Sequence, residues 1–262
     1  MVATLRSHGV IRASGPDIAK YLQGQLSQDL DPLAVGNSAW SLLLAPNGKL
    51  VAWLRVHRVG DAEFVLDLEP LVVDAVIARL ERFKLRTDAT FVVEDGWQIL
   101  QVRGDECPAG GELRTEVAWP GFDGIDVLGR SLDLDIETDD GAFELARIEA
   151  GVPRFGIDLD DETIPAEGGV SVIEHSVSFS KGCYTGQELV ARIESRGGNV
   201  PRPLRVLSLD AAVSVGDEVM FDGSPIGTVT SAAGTSALAR ILRKAKPGAP
   251  ITVANTPGTV QP

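Results

Sequence analysis

The sequence predicts an α+β protein that ends in a β-barrel-like domain, and three observations carry that expectation. Helical apolar stripes flank a run of antiparallel strand signals, a long irregular stretch rich in Asp, Glu, Gly and Pro follows, and beyond about Asn199 only short strands remain. The expected division is 1–198 for an α/β region and 199–262 for the barrel domain.

Pro16 to Leu30 reads as a helix, because Ile18, Tyr21, Leu22, Gln25 and Leu26 recur at helical spacing and Pro16 with Asp17 suits a first turn. Trp40–Ala45, Lys49–Val59 and Glu63–Leu68 read as an antiparallel meander turning at Pro46-Asn47-Gly48 and Gly60-Asp61-Ala62. A second helix is expected over Leu71–Lys84, with strands at Thr90–Glu94 and Trp97–Val102. The acidic, Gly-rich stretch Gly104–Asp139 carries little signal. Asp140–Ala150 is helical again and closes at Gly151, where a left-handed residue ends a helix. The run Val152–Ser180 reads as irregular, and loops of this length are often functional. Gly186–Ser195 is the last expected helix, stopped by Gly197-Gly198. Five strands follow at Leu204–Leu209, Glu218–Phe221, Ile226–Ser231, Ala237–Leu242 and Ile251–Ala254, with Asp222-Gly223 as a hairpin turn.

Composition narrows the function. With 24 Lys and Arg against 37 Asp and Glu the formal charge is -13, and no basic run offers a phosphate-binding face, so direct nucleic acid binding is not expected. The 44% hydrophobic and 23% charged residues suit a soluble globular chain without a membrane span. Met1–Ser14 lacks a secretory pattern, so a cytoplasmic location is expected. Cys107 and Cys183 form no Cys-x-x-Cys, and His8, His57 and His175 lack metal-ligand spacing, so no intrinsic metal is expected.

Two segments carry chemistry. In KGCYTGQE, Lys181–Glu188, two glycines flank Cys183 and Tyr184, and Lys181 brings a cation near the sulfur. Residue types alone favour a tight helix entry with Cys183 as a packing residue over a reactive thiol. His175 is a distant candidate as its partner. In RIEAG, Arg147–Gly151, Glu149 stands near a helix C-terminus, where the dipole disfavours an anion. A carboxylate there suits an amino-pyrimidine edge, with Arg147 orienting it; a solvated surface glutamate is the plainer alternative.

Taken together, KGCYTGQE, RIEAG running into Gly151-Val152-Pro153-Arg154-Phe155-Gly156, YLQGQLSQDL, LLLAPNGKLVAWLRV and the late GTVTSAA…ALARILR segment resemble the YgfZ group of folate-binding proteins. That group is related to the T-protein (aminomethyltransferase) of the glycine cleavage system, and the resemblance covers nearly the whole chain. It implies a three-lobed arrangement, two α/β lobes with antiparallel sheets plus the barrel, around a central folate pocket. It implies a tetrahydrofolate-binding accessory protein for assembly or maintenance of iron-sulfur clusters in selected enzymes, including tRNA-modifying ones. Its partners would be a reduced folate, tetrahydrofolate or a derivative, and iron-sulfur client enzymes. Glu149 would grip the pterin, as a glutamate in the relatives' RLEAG segment does. Arg147 would hold Glu149, Lys181, Arg192 and Arg196 would meet the glutamyl carboxylates, Tyr184 and Gln187 of the signature would join them, and Cys183 would be the reactive or transiently ligating group.

Two departures stand out. The aminomethyltransferase pattern has paired acids where this chain has Ala52 and Trp53, which argues against glycine-cleavage activity. Ala166 replaces a customary Gln and offers no side-chain hydrogen bond. A folate-dependent one-carbon transferase and a folate-independent thiol enzyme using Cys183 remain the alternative readings.

Overall fold

A computed structural model describes residues 1–105, 108–132 and 136–262. In chain order the elements are β1 (Val2–Ser7), β2 (Gly9–Ser14), α1 (Ile18–Gln25), β3 (Ser38–Leu44), β4 (Leu50–Gly60), β5 (Glu63–Leu68) and α2 (Val73–Phe83). Then come β6 (Thr90–Glu94), β7 (Gln98–Arg103), β8 (Leu113–Val117), β9 (Gly124–Gly129), α3 (Asp140–Glu149), α4 (Val170–Ser176) and α5 (Gln187–Glu194). The last six strands are β10 (Leu204–Leu209), β11 (Glu218–Phe221), β12 (Ser224–Ala233), β13 (Ser236–Ile241), β14 (Pro250–Val253) and β15 (Thr256–Val260).

These elements make three bodies. One sheet has the order β3-β4-β5-β2-β6, a second β1-β7-β9-β8, and β10-β13-β12-β11-β14-β15 close into a barrel. Every strand pair is antiparallel. The expected meander is β3-β4-β5. Its apolar face packs Leu42, Leu54 and Leu66 into one cluster with Ile18, Tyr21 and Leu22 of α1 and Val76 and Leu80 of α2. Burying each such side chain contributes roughly 1.5–3 kcal/mol. The barrel has its own core around Leu207, Val219, Val229, Ile241 and Val253. Asp222 and Gly223 both adopt positive φ, +50° and +71°, as the tight turn between β11 and β12 requires.

The structure departs from the sequence expectation at several places. β1 and β2, with only His8 between them, belong to different sheets: β1 pairs with β7, and β2 with β5 and β6. Likewise β6 and β7, close in sequence, are split between the two sheets by the turn at Gly96 (φ +77°). The weak stretch after Gly104 holds β8 and β9, whose short strands lack strict alternation. Within Val152–Ser180 lies α4, a helix of only seven residues. The helix expected over 16–30 ends at Gln25, because the chain leaves the α region at Leu26 (ψ 149°). Cys107, expected in a loop, lies outside the described residues.

What joins the two sheets is a buried charge network. Arg55 on β4 is fully buried and donates from Nε and Nη2 to Asp67 on β5 at 2.8 and 3.3 Å, and from Nη1 to Asp126 on β9 at 2.9 Å. Asp67 also meets His8 Nε2 at 2.8 Å and His57 Nε2 at 2.5 Å, while Asp126 accepts from Arg103 at 2.8 Å. Burial works against both carboxylates, yet the guanidiniums overcome it: Asp67 is held well below the ordinary carboxylate range by Arg55 first, and Asp126 below it by Arg103 and Arg55.

Arg55→Leu would strand two buried carboxylates, and the expected loss is about 3–5 kcal/mol in urea unfolding at pH 7. Since both acids bind their protons less tightly folded than unfolded, the wild type should lose stability as pH falls below about 4, the unfolded Asp value. The gap between wild type and variant should narrow over that range; a constant gap would contradict the network's role.

Candidate functional site

Between the two sheets and α3 lies a cavity of about 80 Å³ with six aromatic side chains in its wall: Trp40, Trp53, Trp119, Phe122, Phe143 and Phe155. The indoles touch in sequence at tilted angles, Trp40 to Trp53 at 4.7 Å and 32° and Trp53 to Trp119 at 5.8 Å and 57° between ring centroids. The ring of His175 lies on Trp119 at 5.1 Å and 21°. Trp53 is fixed by its Nε1 donating to Ser176 Oγ at 2.9 Å, and Trp119 by donating to the Ala150 carbonyl at 3.2 Å. Opposite the rings stand the charged residues of the sheet-joining network, Asp67, Asp126 and Arg103, together with Arg6, His8, Glu69, Gln101, Arg147 and Arg154.

Polar satisfaction singles this cavity out. Arg6 Nε, His8 Nδ1, Gln101 Oε1, Arg103 Nε and Arg154 Nε are buried polar atoms with no hydrogen-bond partner, and all five residues line the cavity. Each such atom costs about 1–3 kcal/mol unless something pairs with it. Glu69 is the least committed acid of the wall, reaching Arg6 at 3.3 Å and Arg154 at 3.5 Å. Aromatic faces above unpaired donors and acceptors suit a flat heterocycle with a polar edge.

The residues expected from the two motifs fall in different places. Arg147 alone among them lines this cavity, nearly buried, and it acts as a knot. It donates to Glu144 Oε2 at 2.9 and 3.0 Å, Asp158 Oδ2 at 2.9 Å, the Val152 carbonyl at 2.6 Å and Ser231 Oγ of β12 at 2.8 Å. It does not orient Glu149. Residues two apart on a helix point to roughly opposite sides, so Glu149 is exposed and accepts from Ser236 Oγ at 3.2 Å at the start of β13. Neither Glu149 nor Cys183 lines the central cavity.

Lys181 is corrected too. Its ammonium donates to the carbonyls of Gln23 (2.7 Å), Leu26 (2.8 Å) and Gln28 (2.8 Å), where α1 ends and leaves unpaired carbonyls, and it lies over the Tyr184 ring at 5.4 Å. Burial lowers its pKa to about 8. Tyr184 is buried in the main core, its phenol pushed up to about 12 by that burial. Gln187 accepts from the Tyr184 N–H at 3.0 Å. So Lys181, Tyr184 and Gln187 lock the signature loop onto α1, and Cys183 is left exposed on it. Both ring nitrogens of His175 are occupied by the Ser171 and Ala118 carbonyls at 2.7 and 2.8 Å, so it does not serve the thiol. Arg192 and Arg196 are exposed on α5 and the turn after it.

Ala52 is buried within β4, and Trp53 fills the cavity wall. Sequence reasoning missed the lining acids and bases. Their signal is a lone charge within an apolar strand, as in FVLDL (Asp67) and GIDVLG (Asp126); LVAWLRV likewise marks Arg55, which pairs with both acids behind the lining. Among the described residues no group of three or more His, Cys, Asp or Glu is arranged to hold a metal, and no helix is long and apolar enough to cross a membrane.

Comparisons with known proteins agree on lineage. No protein-family model matches the chain. An uncharacterized protein of Haemophilus influenzae is 30% identical over 237 residues, covering 87% of this chain and 83% of that protein. The iron-sulfur cluster assembly factor IBA57 homolog of Mycosarcoma maydis, mitochondrial, is 27% identical over 219 residues, 75% of this chain and 54% of its own length. The tRNA-modifying protein YgfZ of Edwardsiella ictaluri is 29% identical over 218 residues, 72% of this chain and 65% of that protein. Among solved structures, the glycine cleavage system aminomethyltransferase T from Bartonella henselae superposes with a TM-score of 0.78 at 18% identity, over 100% of this chain and 85% of that one, so the fold is shared.

Replacing Lys181 by Met removes three carbonyl partners at once. The expected result is a loss of about 1–3 kcal/mol with faster amide exchange over residues 178–186, read by hydrogen-exchange mass spectrometry; unchanged exchange there would rule out the lock.

Proposed function

The chain belongs to the YgfZ family, relatives of the glycine cleavage T-protein, and from that premise we propose that it is a cytoplasmic tetrahydrofolate-binding accessory protein for iron-sulfur clusters in selected enzymes, tRNA-modifying enzymes among them. The observation that carries the folate half of this reading is the central cavity, in which five unpaired buried polar atoms lie among six aromatic side chains. A pterin offers what those groups lack: ring faces for Trp40, Trp53 and Trp119, acceptors for Arg6 and Arg103, and an amide N–H for Gln101 Oε1. Glu69 is the carboxylate suited to the amino-pyrimidine edge, a part that the sequence alone assigns to Glu149. When bound, the folate would supply one-carbon chemistry or report one-carbon status; the chain's residues would hold and orient it.

The cluster half rests on Cys183. A soft, exposed thiol on a loop pinned by Lys181 and Tyr184 presents one sulfur at a fixed place, suited to transient contact with iron in a client enzyme. This thiol and the central cavity are separate features, so the reading assigns ligand sensing to one and cluster contact to the other. The absence of a carboxylate at Ala52 and Trp53 disfavours the aminomethyltransferase alternative.

Two experiments test the reading. Titration of tetrahydrofolate by calorimetry should give about tenfold or greater weakening in Glu69→Gln and wild-type affinity in Glu149→Ala; the reverse pattern would return the pterin grip to Glu149, and no binding to the wild type would end the folate reading. In a deletion strain, activity of cluster-dependent tRNA-modifying enzymes should be restored by the wild type and not by Cys183→Ala, with protein levels matched. Full activity without the protein would remove the accessory role.

A further inference from the structure

A second, larger cavity of about 670 Å³ opens between α2, the β3–β4 hairpin and the loop around residues 155–162. Its volume falls in the range of small-molecule sites. The wall is apolar at Leu50, Val72, Phe83 and Phe155, and Phe155 also walls the central cavity. The loop is held close to α2 by Gly156, whose φ is +87° and where a Cβ would come within 2.6 Å of Leu71. Leu71 itself lies at the rim with 63% of its surface exposed.

The charges in this cavity do not balance locally. Asp160 is paired with Arg240 at 2.5 Å, and Glu162 is paired with Lys49. Arg79 and Arg82, both on the α2 wall, have no carboxylate partner among the described residues. Arg79 is 8% exposed; its Nε donates to the Leu44 carbonyl at 3.1 Å and its Nη1 to Gln25 Oε1 at 3.0 Å, leaving Nη2 buried and unpaired. Its guanidinium carbon sits 3.8 Å from the Phe83 ring centroid. Burial lowers the Arg79 pKa, and Arg82 is close enough to lower it further. The Arg79 guanidinium meets only neutral acceptors, and with Arg82 beside it the pair lacks an anion.

We propose that this cavity is a second binding site, for a small carboxylate with a flat apolar body, its carboxylate on Arg79 and Arg82 and its body against Phe83, Val72 and Phe155. Asp161, exposed on the opposite loop, sets the orientation by repelling the carboxylate from that side. The site is distinct from the central cavity and does not depend on the folate reading.

Calorimetry on the full chain with 4-phenylbutyrate, and with 4-phenylbutanamide as its neutral isostere, tests it. The acid should bind, and the amide about tenfold or more weaker. Arg82→Gln, an exposed position without a structural hydrogen bond, should weaken the acid by about tenfold, and Ala78→Trp, which fills the cavity, should abolish binding, while Glu69→Gln in the central cavity leaves affinity unchanged. No binding of the acid at millimolar concentration would overturn the proposal, as would equal affinity for acid and amide. Binding that survives Ala78→Trp but is lost in Glu69→Gln would place the probe in the central cavity and overturn it as well.

Discussion

Arg55 is the tie on which the arrangement depends. It extends from β4 of one sheet, grips Asp67 on the neighbouring strand and reaches Asp126 on the other sheet, with Trp40 5.1 Å from its guanidinium carbon. Two sheets with apolar faces can pack at many angles, because apolar contact is non-directional. A planar, five-donor group satisfied by two fixed carboxylates admits few. Removing ionic groups from water carries a large cost, so such a network is retained less for net stability than for the geometry it imposes. That geometry is the central cavity, since Asp67 and Asp126 line it.

Much of the fold was legible because it is written in periodicity. The β3-β4-β5 meander, α2, α3, α5 and most barrel strands follow apolar repeats closed by glycines whose positive φ the structure bears out, such as Gly151 at +67°. What escaped was what periodicity does not encode. Six-residue strands that change sheet at His8 look like one undistinguished run, and the pairing of Val2 with Arg103 is a long-range fact with no local mark. The site was less legible than the fold. RIEAG and KGCYTGQE pointed to real structural positions, yet Arg147, Lys181, Tyr184 and Gln187 serve as knots between elements. The cavity's polar lining comes from isolated strand residues that a motif search passes over.

This separation changes how the molecule is read. The signature loop is held by carbonyls of α1 and exposes a thiol, whereas the cavity is closed by tryptophans and charges from both sheets. The bridge between them is α4. Ser176 at its end holds Trp53, and the His175 ring packs on Trp119, while the residues that follow lead directly into the signature. One short helix thus touches the indole wall and leads by four residues into the loop that carries Cys183.

The sheet switch at His8 has a consequence for how the chain is made. The first fourteen residues supply an edge strand to one sheet and an inner strand to the other, but their partners lie far along the chain: β5 and β6 end at Leu68 and Glu94, and β7 at Arg103. During synthesis residues 2–14 precede all of their partner strands and wait, unpaired, until those are translated. Pairings between distant residues form slowly because a long loop must close before any contact rewards it. β1 and β2 are therefore made well before any strand they pair with, and their place in the two sheets is settled only when β5, β6 and β7 have been added.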